Sequence, residues 1–290
     1  MLILGTQILF GFHFRVVFEP AFERLPPSSQ VLKMIAMVIL LIAIALIMSP
    51  GSYHRIVRSG SDAPDVHEFA TTVMDFALLP FMLSLAIDMY VSTGRILGAS
   101  GGLIEGGFIG VAALGLWYVM GLAAKPIRRP GTAKKENAEA GAQPTSLKDK
   151  IDQALTETRV VLPGAQALLG FQLVTMFMDG FDKLPNSSKY IHIIGTCLIA
   201  LTMVFLMTPA AFHRIAEQGE DTKRVAVVAS TFILAAMTIL PLGIAADVFV
   251  VFLKVTNSTG TAVAIASTIL IFFYALWFGF TFYRRKKLRA

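Results

Sequence analysis

One cysteine, Cys197, is all the thiol this chain has, so it can close no intramolecular disulfide and build no cysteine metal cluster. Charge is scarce as well: 15% of residues are charged, where a soluble domain carries about a quarter. With 55% hydrophobic residues and a mean hydropathy of +0.68, that scarcity excludes a freely soluble domain and puts the chain in a bilayer. The glycine-rich stretch at Gly98-Ala-Ser-Gly-Gly102 has neither the lysine nor the preceding strand of a phosphate loop. A cleaved leader is not expected either, because the first apolar run lacks a basic start and is interrupted by His13, Arg15 and Glu19.

What the chain does have is one text written twice. Gly5-Thr-Gln7, Gly11-Phe12, Leu25-Pro26, Ser28-Ser29 and Pro50-Gly-Ser-Tyr53-His54-Arg55 are answered by Gly164-Ala-Gln166, Gly170-Phe171, Leu184-Pro185, Ser187-Ser188 and Pro209-Ala-Ala-Phe212-His213-Arg214. The offset is constant, since 213 minus 54 and 166 minus 7 both give 159, and the same interval joins Asp88 to Asp247. Self-similarity at a fixed period is read before any local feature, because it decides the architecture.

Eight apolar runs follow, four to each copy, near 3–22, 29–49, 69–92 and 101–124, then 161–181, 189–208, 225–253 and 260–282. Each approaches the roughly 20 residues that cross a hydrocarbon core. The expected fold is all-α: a polytopic transmembrane bundle of about eight spans, arranged as two parallel four-helix repeats. Residues 1–124 would form the first repeat, 125–159 a linker with an amphipathic helix, and 160–290 the second repeat with a basic tail. Basic residues cluster at Lys125, Arg128, Arg129, Lys134 and Lys135 and again at Arg284–Lys287, which by the positive-inside rule places linker and both termini in the cytoplasm. They are not a nucleic-acid face. Ser146 and Asp149 resemble a capping box, and Leu147, Ile151 and Leu155 share one face, so this segment is expected to lie flat on the inner surface.

Candidate functional residues are those that put charge or a titratable group where hydrocarbon is expected. Arg15 and Glu19 are spaced to pair, as a path component or as a snorkelling pair at the outer interface. Gln7 and Gln166 recur in both copies and suit the gluing of neighbouring helices. His54-Arg55 and His213-Arg214 close the second and sixth runs, where proline tends to end a helix; they read as interfacial anchors or as inner-side proton ports. Asp88 and Asp247 fall toward the outer end of proline-containing runs, as pathway carboxylates or interfacial residues. The second and sixth runs are otherwise featureless apart from Lys33 and His192, and the paired serines before them offer N-caps. Neither a catalytic constellation nor a cofactor or metal site is expected.

Glu157-Thr-Arg159-Val160, Pro163-Gly164-Ala-Gln166, Gly170-Phe171 and the closing Pro209-x-x-Phe212-His213-Arg214 resemble a family of uncharacterised bacterial four-helix membrane proteins. Some of its members carry a sodium:proton antiporter label. The likeness covers most of the second half and, more weakly, the first. It implies a fused pair of modules in a bacterial inner membrane. Two readings of function stay open: a proton-coupled transporter of protons, monovalent cations or a small solute, and a non-catalytic scaffold or accessory subunit, as a homo-oligomer or with a membrane partner protein. A polar cavity lined by His54, His213, Asp88 or Asp247 separates them.

Overall fold

Hydrocarbon offers backbone N–H and C=O groups no water, and a helix satisfies them within its own segment. A computed structural model describes residues 2–57, 64–124 and 146–289, and every regular element among them is helical. α1 (Leu2–Val17) leads through the single turn α2 (Pro20–Glu23) into α3 (Pro27–Val57). Proline opens both α2 and α3, at a position whose N–H has no intrahelical partner in any case.

α4 (Pro64–Leu114) reverses at Gly98, where φ is 79° and ψ is 173°. Beyond the turn, a Cβ on Gly106 would sit 2.5 Å from the Ala86 carbonyl oxygen, and one on Gly102 would sit 2.9 Å from the Gly94 Cα. The two arms therefore run antiparallel in contact, and the small residues of the stretch after Gly98 form their seam. A π-helical turn (Gly115–Val119) and α5 (Met120–Ala123) complete the returning arm.

The remaining elements are α6 (Leu147–Thr175), α7 (Asp179–Asp182), α8 (Asn186–Ile215), α9 (Lys223–Thr256), α10 (Thr259–Tyr274), a second π-helical turn (Ala275–Gly279) and α11 (Phe280–Arg289). Pro20 to Asp179, Glu23 to Asp182 and Gly98 to Asn257 span the same interval as His54 to His213. Asn257 is itself left-handed, with φ of 51°, and caps α9.

α1 and α6 pack side by side in the same direction, with Gly5 against the Gln166 amide and Phe12 against Gly170 and Phe171. One apolar core runs through both parts of the chain, joining Leu40, Phe81 and Trp117 to Leu169, Ile199 and Met203. The parts are not equivalent in burial: 67% of the apolar stretch of α8 is enclosed, against 28% for α3. The difference arises because the returning arm of α4 packs on α8, where Trp117 Nε1 donates to the Val204 carbonyl at 2.9 Å.

Three local expectations change. The amphipathic segment is not a separate helix lying flat; Ser146 caps it, accepting from the Asp149 amide at 3.1 Å, and the helix then continues to Thr175 through Pro163. Protein covers its apolar face, since Ile151 is fully buried with Phe212, Ala216 and Val225. Ser187 and Ser188 are not N-caps of α8 but sit in its first turn, behind Pro185. Pro50 and Pro209 do not end their helices, which run on to Val57 and Ile215. At Pro50 the missing N–H frees the Leu46 carbonyl, and the Ser49 hydroxyl donates to that oxygen at 2.9 Å.

Among the described residues, five helical stretches are long and apolar enough to cross a membrane, and α1 adds a shorter apolar helix. The chain is an integral membrane protein.

Candidate functional site

Asp88 lies ten residues before the Gly98 turn, about 15 Å along the helix at roughly 1.5 Å per residue, and is 3% exposed. Lys33 of α3 places its Nζ 2.5 Å from Asp88 Oδ1, and His13 of α1 sets Nε2 against Oδ2. All three are buried. A carboxylate or an ammonium alone in such a place costs several kcal/mol, so each charge is tolerable only because the other is there. The Lys33 ammonium also lies 5.7 Å from the centre of the Phe177 ring, which carries Arg95 at the same distance.

Asp247 of α9 holds a second cluster. Gln172 of α6 donates Nε2 to Asp247 Oδ2 at 2.6 Å, and His192 of α8 faces Oδ1 through Nδ1 at 3.1 Å. The other ring nitrogen, Nε2, stands 3.1 Å from the Gln172 backbone carbonyl. His13 and Gln172, Lys33 and His192, and Asp88 and Asp247 are pairs at one interval, the interval of the repeated text. The same three-helix site is thus built twice, as His-Lys-Asp and as Gln-His-Asp. Glu105, 7% exposed on the returning arm of α4, adds a carboxylate within electrostatic range of His192 and accepts from the Thr93 hydroxyl.

The sequence points to the two aspartates and shows Lys33 and His192 as polar exceptions in apolar runs, but gives those two no role, because which helices face one another is not written in the spacing. The available signal is that both copies interrupt an apolar helix with a polar residue at the same repeat position, Lys33 and His192, although the residues differ.

The other candidates are dispersed. Arg15 Nη2 pairs with Glu19 Oε1 at 2.7 Å, but α1 has ended at Val17, so the pair closes the turn before α2 rather than sharing a helix face. Gln7 is exposed and reaches only the Met48 sulfur at 3.9 Å, whereas Gln166 is fully buried against Gly5. Arg214 donates Nε to Asp75 Oδ1 at 2.8 Å, and His213 stands 3.5 Å from Asp221. His213 and Arg214 line a pocket of about 330 Å³ together with Thr158 and Arg159. His54 and Arg55 belong to α3 by backbone, but their side chains lie outside the described residues.

Two further ion pairs tie the parts of the chain together near the turns. Arg95 Nη2 meets Asp182 at 2.6 Å, and Arg24 Nη2 meets Asp179 at 2.7 Å. Among the described residues no group of three His, Cys, Asp or Glu is placed to hold a metal ion.

No curated protein and no solved structure matches the chain. A family model described as a family of unknown function, DUF6328, matches residues 1–121 and again 145–281, the two stretches that share the repeated text. The chain belongs to that family.

Proposed function

We propose that the chain is a proton-coupled transporter of an ion or small solute, built as eight spans in two parallel four-helix halves with both termini in the cytoplasm. The observation that carries this reading is the pair of carboxylates at one repeat position, Asp88 buried and Asp247 half-buried, each met by side chains from two further helices. Ionisable groups inside a bilayer mark proton relays and ion paths far more often than they serve packing. The eight-span count is supported by the reversal at Gly98, because the arm before it (64–97) and the returning arm continued through the π-helical turn and α5 (99–123) each exceed the roughly 20 residues a span needs. Parallel halves are supported by α1 and α6 running in the same direction, as an even number of spans per half requires. The inner opening of the path is the pocket lined by His213 and Arg214.

Purified protein in liposomes containing a pH-sensitive dye tests this, with monovalent cations offered one at a time. Cation-dependent proton movement that disappears in Asp247→Asn supports transport. Absence of movement for every cation, with folded protein in the liposomes, overturns it and favours the second reading, a membrane scaffold that assembles with itself or with a partner. The ion pairs Arg95–Asp182 and Arg214–Asp75, which pin separate helices together, are what that second reading rests on.

A further inference from the structure

We infer that the two clusters have divided their tasks: His13-Lys33-Asp88 is a permanent ion-pair lock, and Gln172-His192-Asp247 is the site that takes up and releases the transported proton. The inference rests on the transport reading for its role and on hydrogen-bond inventory for its location.

In the second cluster, His192 Nε2 faces a backbone carbonyl, which only accepts, so Nε2 carries a hydrogen. Nδ1 then faces Asp247 Oδ1 at 3.1 Å. A bare ring nitrogen and a carboxylate oxygen would set two lone pairs against each other. One proton between them removes the conflict, whether it is counted on the ring as imidazolium or on the carboxyl as acid. Asp247 Oδ2 is meanwhile fixed by the Gln172 amide, which leaves Oδ1 as the oxygen that faces the ring. With that proton the site holds no net charge; without it, Asp247 Oδ1 is a buried oxygen with no hydrogen-bond partner among the described residues.

The first cluster needs no such proton. Lys33 brings a full positive charge to Asp88 Oδ1 and hydrogen-bonds it, so with His13 neutral the group holds no net charge as it stands, the His13 ring lying against Oδ2 without a hydrogen bond. Releasing a proton from Lys33 would strand the Asp88 charge at 3% exposure. The second cluster is also the more accessible, with the Asp247 side chain 20% exposed against 5% for Asp88.

The titratable groups facing the His192 ring among the described residues are Asp247 from α9 and Glu105 from α4; α6 presents only the Gln172 amide and carbonyl, and the region of α7 presents the Phe181 ring edge. Both titratable neighbours are acids. When the proton leaves, the site therefore holds net negative charge in a low dielectric, and whatever takes the proton's place must be positive. The solute exchanged for the proton is a cation, and Lys33 is its covalently tethered counterpart in the other half.

Two measurements test this on the full chain in lipid nanodiscs and liposomes. The first is ¹⁵N NMR of protein labelled at its five histidines, with the His192 signals identified by their loss in His192→Gln. The expected result is a His192 ring that moves between a doubly protonated and a neutral form as pH is varied, with a response changed in Asp247→Asn, while His13 keeps one form. A His192 ring in one protonation state throughout, or a titrating His13, overturns the inference. The second is flux in His192→Lys, which gives the second half the tethered cation of the first. The expected result is flux at the background of empty liposomes with folding retained by thermal melt; unchanged proton-coupled flux overturns the inference. A His192 that titrates as expected in a wild-type protein without flux would instead end the transport reading and leave the proton site standing. Should His192→Lys not fold, His192→Gln takes its place with the same two outcomes.

Discussion

At the scale of single residues, the first prediction concerns the lock. Removing one partner of a buried ion pair leaves the other charge uncompensated and costs about 3–5 kcal/mol. Lys33→Met and Asp88→Asn should each lower the thermal midpoint strongly, whereas the double substitution should recover much of the loss, because no charge is then left alone. Melts of the three variants in one detergent check this; singles and double that differ from wild type by the same amount would show that the pair is not the unit. A second residue-scale prediction separates two neighbours in the hairpin seam. Gly106→Ala should destabilise by about 1–3 kcal/mol, because its Cβ would press on the Ala86 backbone, which cannot swing aside. Gly107→Ala, with open space around it, should change little. Legibility also divides here. Asp88 and Asp247 were visible as recurring acids in apolar text, but the contacts to Lys33 and His192 depend on how three helices face one another, which one-dimensional spacing does not contain.

Among elements, the two turns that close the α4 arms and join α9 to α10 make a sharper test than their shared position suggests. Gly98 has φ of 79° and ψ of 173°, a region that essentially only glycine occupies. Asn257 has φ of 51° and ψ of 23°, an ordinary left-handed cap that asparagine tolerates. Gly98→Asn should therefore cost about 1–3 kcal/mol, although asparagine is what the other copy uses. Asn257→Gly should fall within a few tenths of a kcal/mol of wild type. Comparative unfolding of the two variants decides the matter, and equal costs would mean that the turns are interchangeable. Helix positions were readable from the apolar runs, since length and hydropathy are local properties. The course of α6 was not, because whether a helix continues past Pro163 depends on Ile151 finding Phe212 and Val225 in other elements.

For the whole molecule, the proposed topology predicts opposite faces for two defined positions. With Cys197 replaced by serine, a single cysteine at Asn186 should react with an impermeant maleimide only from outside intact cells, and one at Gln218 only after the inner face is opened. Reaction of both from one side would defeat the even-span arrangement. The depth of the Lys33–Asp88 pair also bears on how the protein is made. The partners lie 55 residues apart in the chain. At about 5–20 residues per second, translation delivers Asp88 roughly 3–11 seconds after Lys33. Throughout that interval the Lys33 ammonium lacks the carboxylate that it pairs with in the folded chain. The second half leaves no such charge waiting, because His192 can enter uncharged and acquire its proton after Asp247 arrives.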